Sequence, residues 1–77
     1  MNDIQKVFNY GDSPVRTVLQ EEEVWFVAKD VCEVLEIQNV TQALQRLDED
    51  ERSMFNIGRQ GEVNIINEAG LYTLILR

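Results

Sequence analysis

Histidine is absent from this sequence, cysteine and proline occur once each, and lysine plus arginine number 7 against 14 aspartates plus glutamates. Without histidine, and with no serine or cysteine beside an evident base, the chain lacks the usual parts of acid–base and nucleophilic catalysis. It also has no glycine-rich phosphate loop and no metal-ligand cluster, so it does not read as an enzyme and no cofactor is expected. The lone Cys32 cannot form an internal disulfide, and its apolar neighbours mark it as a small buried hydrophobe rather than a reactive thiol. No apolar run approaches the roughly 20 residues needed to span a bilayer. The first residues, MNDIQKVFNY, lack the basic-then-apolar pattern of a signal peptide. These absences point to the cytoplasm, with no membrane partner.

Positive charge is scarce enough to matter. A net charge of −7 argues against nonspecific binding to nucleic acid, where lysine and arginine neutralising phosphates supply most of the affinity. The acids are unevenly spread: Glu21 to Glu23 and Asp48 to Glu51 form two short runs of the kind that sits on solvated turns. With 77 residues the chain is at most one domain with a small core, and its 44% hydrophobic and 27% charged content is ordinary for a globular protein.

The stretch from Phe26 to Leu47 organises what is present. Ala28, Val31, Cys32 and Leu35 recur at helical spacing, and Val40, Ala43, Leu44 and Leu47 repeat the pattern, which predicts two short helices sharing a core across a turn at residues 36–39. Asn39 is placed to cap the second helix. Outside the second apolar stripe stand Thr41, Gln42, Gln45 and Arg46, preceded by Gln38 and Asn39. All can hydrogen-bond and none is acidic, in a segment, residues 37–47, that is free of aspartate and glutamate. Amide side chains pair with adenine, and arginine with guanine or phosphate, so this is the chemistry of a recognition helix in a helix-turn-helix. An ordinary solvated helix face has the same composition, since Gln and Arg are good exposed helix formers.

In chain order, Ile4 to Phe8 is a weak strand candidate, and residues 9–14 form a turn-rich loop. Val15 to Gln20 and Val24 to Val27 read as strands joined by a glutamate hairpin, the second apolar on both faces and therefore central. The DEDER run, residues 48–52, has neither the alternation nor the glycine of a calcium loop and reads as solvated. Met54 to Ile57 and Glu62 to Ile66 predict a further hairpin around Gly58 and Gly61, with Arg59 at its tip, the layout of a wing touching the DNA backbone. Asn67 is placed to cap a last helix, and Leu71, Tyr72, Leu74, Ile75 and Leu76 make that helix apolar on nearly all sides, which predicts burial. The expected fold class is thus α+β: a small winged-helix-like domain, a helix-turn-helix flanked by β-hairpins, with a C-terminal apolar helix.

VWFVAKDVCEVLEIQNVTQAL followed by EVNIINEAGLYTLILR resembles the N-terminal BRO domain of phage and prophage antirepressors, named after the baculovirus repeated open reading frame proteins. The resemblance covers about Phe8 to Arg77. It implies a DNA-binding domain in a phage-encoded regulator of the lysogeny switch, acting in the cytoplasm of a bacterial host and usually followed by a separate C-terminal domain. It also implies that residues 1–77 are a BRO-type domain cut short at its C-terminal end, because the family continues into a basic and aromatic segment. Three departures stand out. Glu36 replaces a glycine that commonly makes the turn, Val40 a proline that commonly opens the second helix, and Glu21 to Glu23 a glycine-containing hairpin turn.

Two functions follow. In the first, double-stranded DNA is the partner: Gln42, Gln45 and Arg46 read bases, Asn39 and Thr41 position the helix, and Lys29 and Arg59 contact phosphate, with a homodimer as the usual arrangement of such proteins. The second is a protein-interaction module that inactivates a repressor through an acidic surface, which suits the net charge better.

Overall fold

Two hairpins merge into one sheet. The computed structural model describes residues 4–10 and 13–76. Strands β1 (Ile4–Tyr10), β2 (Ser13–Gln20) and β3 (Glu23–Val27) form a meander. Helix α1 (Ala28–Val34) follows β3 with no intervening loop, and α2 (Val40–Gln45) follows α1 after a short turn. A single 3-10 turn at Glu49–Glu51 leads into β4 (Arg52–Asn56), a second at Gly58–Gln60 into β5 (Glu62–Ile66), and α3 (Glu68–Ile75) closes the fold. The hairpins do not flank the helices separately, because β3 pairs antiparallel with β5 and joins all the strands in a five-stranded sheet of order β1-β2-β3-β5-β4. β3, apolar on both faces in the sequence, is the central strand.

Side chains alternate across a strand, so the register sorts the core into two parts. Val15, Phe26 and Ile66 share one face, against which α1, α2 and α3 pack through Val31, Cys32, Ala43, Leu44 and Leu74, with Leu47 just past α2 in the same core. Trp25, Val27 and Ile65 share the other face with Val63 and Phe55. Of the expected helical stripes, Ala28, Val31, Cys32, Ala43, Leu44 and Leu47 are buried while Leu35 and Val40 are half-buried at the edge of the core, and burial pushes the Cys32 thiol above its ordinary pKa.

Four expectations need correction. The strand Ile4 to Phe8 extends to Tyr10, and β2 starts at Ser13, so only Gly11 and Asp12 remain of the predicted loop, and they lie outside the described residues. β4 begins at Arg52 rather than Met54 and ends before Ile57, whose N–H instead donates to the Gly61 carbonyl at 3.0 Å. The DEDER run is solvated but ordered: the Glu51 carboxylate accepts from the Asp48 N–H at 2.9 Å. Finally, α3 is not buried all round. Gly70 and Leu74 face the core, but Tyr72 is 54%, Ile75 49% and Leu76 81% exposed. A helix resting on one sheet face can bury only one stripe, however apolar its other sides.

Candidate nucleic-acid interface

The turn between α1 and α2 is set by the end of α1. The Ile37 N–H donates to the Cys32 carbonyl at 2.7 Å and the Glu36 N–H to the Glu33 carbonyl at 3.2 Å, the paired bonds of a Schellman cap. Such a cap needs one residue in the left-handed region, and Glu36 takes it with φ 61°. The glutamate therefore makes the same turn that a glycine would. Ile37, next in the chain, packs against the helical core. Asn39 then caps α2, its Oδ1 accepting from the Gln42 N–H at 2.9 Å.

With Ala43, Leu44 and Leu47 buried, Thr41, Gln42, Gln45 and Arg46 are left exposed on the outer side of α2. Asn39, Gln42 and Arg46 line an open concavity of about 530 Å³ together with Glu36, Ile37, Gln38 and Ala43. Thr41 and Gln45 lie outside that lining, as do Lys29 and Arg59. Lys29 is exposed in the first turn of α1, and Arg59 is exposed at the β4–β5 tip. Glycines with φ 80° and 82° at Gly58 and Gly61 frame that tip, and Asn56 Oδ1 accepts from the Gly58 N–H at 2.7 Å. Because β3 and β5 are antiparallel and Val27 sits opposite Ile65, the start of α1 and the β4–β5 tip lie toward the same end of the sheet.

One pair that fixes this region escapes notice in the sequence. Asp30 in α1 accepts from Arg16 in β2 through the backbone N–H (3.0 Å), Nε (2.7 Å) and Nη2 (3.0 Å). Burial alone would raise the Asp30 pKa, but the Arg16 hydrogen bonds and charge, with Lys29 adding to them, bring it below the ordinary carboxylate value. The hydrogen bond to Asp30 likewise raises the Arg16 pKa. The pair clamps α1 to β2. Nothing in the local pattern points to it, because Asp30 stands off the apolar stripe, in the first turn of α1, and the two residues lie in separate elements.

A family model described as "BRO family, N-terminal domain" matches residues 14–77. The chain belongs to the BRO family. A Haemophilus influenzae relative described only as "Uncharacterized protein" is 37% identical over 82 residues, a match covering 99% of this chain and 41% of the relative. The BRO chain thus spans less than half the length of that relative. No solved structure matches it. Among the described residues, no helix is long and apolar enough to cross a membrane.

Proposed function

We propose that this BRO domain is the DNA-binding part of a phage or prophage antirepressor that regulates transcription in the lysogeny switch, with α2 reading DNA. The observation that carries the reading is the division of α2: an apolar stripe held in the core, and an outer side of Thr41, Gln42, Gln45 and Arg46 with no acid among them. Membership of the BRO family, one of regulatory DNA-binding domains and not a known enzyme family, supports the class.

In this reading α1 and α2 act as a helix-turn-helix. Gln42 and Arg46, one helical turn apart and bordering the same concavity, contact base edges with Gln45 beside them. Asn39 holds the start of α2 through its cap, Thr41 steadies the helix on the backbone, and Lys29 and Arg59 contact phosphate, with the β4–β5 hairpin as the wing. The protein acts in the host cytoplasm, as a homodimer, within a longer chain.

The test is fluorescence anisotropy with labelled duplexes from the gene's own neighbourhood, at several salt concentrations, for the wild type and Arg46→Ala. Binding should weaken linearly in log salt, and the variant should lose about tenfold or more, the worth of one good base contact. Undiminished binding by Arg46→Ala would remove α2 as the reader. A second reading, a protein-interaction module that inactivates a repressor, is favoured by the exposed carboxylates of Glu21 to Glu23 and Asp48 to Asp50.

A further inference from the structure

Glu36 is the one acid on the wall of the concavity that borders α2. Its side chain is exposed, and its backbone sits at φ 61°, a region that costs a residue with a Cβ and that recurs at functional sites. Arg46 borders the same concavity. Among the described residues neither Glu36 nor Arg46 has a salt-bridge partner, so the two charges are not spent on each other. Half-buried Ile37 and buried Ala43 give the concavity an apolar part, while the Asn39 Oδ1 is already committed to the Gln42 N–H. An ionised carboxylate only accepts hydrogen bonds and a guanidinium only donates them. A phosphate, negative and accepting on every side, suits Arg46 but is repelled by Glu36. A base-pair edge in the major groove offers both kinds of group. Guanine presents the acceptors O6 and N7, which an arginine takes together, and its cytosine partner presents the N4 amino donor. Adenine gives an arginine only N7, and thymine sets the acceptor O4 against a carboxylate.

We propose that Glu36 is a specificity-determining residue of the DNA site: it accepts from the N4 amino group of a cytosine while Arg46 donates to O6 and N7 of the paired guanine. The proposal rests on the reading of α2 as the DNA reader and adds the base pair that this reader selects. Glu36 acts as much by what it repels as by what it binds. A duplex with thymine O4 or guanine O6 at its position leaves the carboxylate facing an acceptor, and specificity is the difference between the two affinities. On a chain at −7 a further acid beside DNA lowers affinity for every sequence, and the cytosine contact offsets that loss for the matching one alone.

The test selects duplexes from a randomised library with the wild-type chain. Fluorescence anisotropy then compares the selected duplex with its single-base-pair replacements, for the wild type, Glu36→Gln, Glu36→Gly and Arg46→Ala. Glu36→Gln keeps the side-chain shape and removes the charge, and Glu36→Gly suits the φ of 61°, so the fold is retained in at least one of them. At one position the wild type should prefer G·C over A·T and over the reversed pair by about tenfold or more, the worth of one good base contact. Both Glu36 variants should bring that preference within about threefold, chiefly by binding the replaced duplexes more tightly, and Arg46→Ala should lose preference at the same position. An unchanged preference in both Glu36 variants, with the Arg46→Ala loss intact, overturns the proposal and leaves α2 as the reader. An equal gain in affinity for all duplexes also overturns it, because Glu36 would then repel DNA without selecting a base. A preference lost at a different position from that of Arg46→Ala overturns the shared base pair. If the wild type selects no sequence at all, the DNA reading falls and the proposal falls with it.

Discussion

A carboxylate that accepts several hydrogen bonds from one arginine is held in its charged form, and Asp30 is placed in this way by Arg16. Its pKa lies below the ordinary value, so the stabilisation is fully present above the unfolded carboxylate's pKa of about 4 and is lost as pH falls through the lower, folded value. Asp30→Asn is expected to cost about 2 kcal/mol at neutral pH, the scale of a charge-assisted hydrogen bond. The difference from wild type should shrink as pH drops below about 4. Urea denaturation across pH checks this, and a gap that stays constant down to strongly acid pH would mean that the charge of Asp30 is not what matters. Glu36 makes the opposite case. Its left-handed backbone costs roughly 1–2 kcal/mol relative to glycine, against a gain of about 0.4–1 kcal/mol from a less flexible unfolded chain, so Glu36→Gly is expected to stabilise by about 0.5–1 kcal/mol. Thermal melting should show a rise of a few degrees, and an unchanged or lower Tm would mean that the Glu36 side chain contributes contacts of its own.

Between elements, the backbone does much of the joining. The β2–β3 turn places Glu21 and Glu22 at φ 53° and 65°, so two glutamates adopt the mirror-image turn that suits strand twist and that usually falls to Asn-Gly. Beside β4 and β5 the acidic run Asp48 to Glu51 anchors α3: the Asn67 N–H donates to the Glu51 carbonyl at 3.1 Å, and Asn67 Nδ2 to the Asp50 carbonyl at 3.1 Å. Asn67 Oδ1 meanwhile accepts from the Gly70 N–H at 2.9 Å, the cap expected from the sequence. Gly70 is required for a different reason. A Cβ there would stand 2.9 Å from the Glu51 carbonyl oxygen and 3.3 Å from Ile66 Cβ, both rigidly held. Gly70→Ala is therefore expected to destabilise by about 1–3 kcal/mol despite alanine's better helix propensity, as overpacking does. Equilibrium unfolding measures it, and a stabilised variant would show that α3 can lift away from Glu51. Caps and helical stripes were legible because they depend on neighbours within one turn. The docking of residues 48–51 on α3 was not, because it runs through main-chain carbonyls that carry no sequence signal.

For the molecule as a whole, charge and binding pull in different directions. The proposed DNA reading, with Lys29 and Arg59 on phosphate and Arg46 between bases and backbone, predicts for a chain at −7 a log–log salt slope of about −2 to −3, from roughly 0.9 per neutralised phosphate. Lys29→Ala should reduce that slope by about 1 without changing which duplex is preferred. A flat salt dependence would remove the phosphate roles. A change of preferred sequence would instead make Lys29 a reader of bases.

By itself the sequence determined the alternation of strand and helix, the buried stripes of α1 and α2, the Asn39 and Asn67 caps, the glycine-framed β4–β5 tip, and a resemblance that identified the family. Each of these is written in spacing or in a local backbone demand. The tertiary structure alone decided that the two hairpins form one sheet through Phe26–Ile66 and Val27–Ile65, that Asp30 answers Arg16, and that α3 keeps Tyr72 and Ile75 exposed to water. Those outcomes depend on which segments distant in the chain come to lie side by side. Apolar periodicity says that a side chain can be buried, but only the assembled neighbours decide whether something is there to cover it.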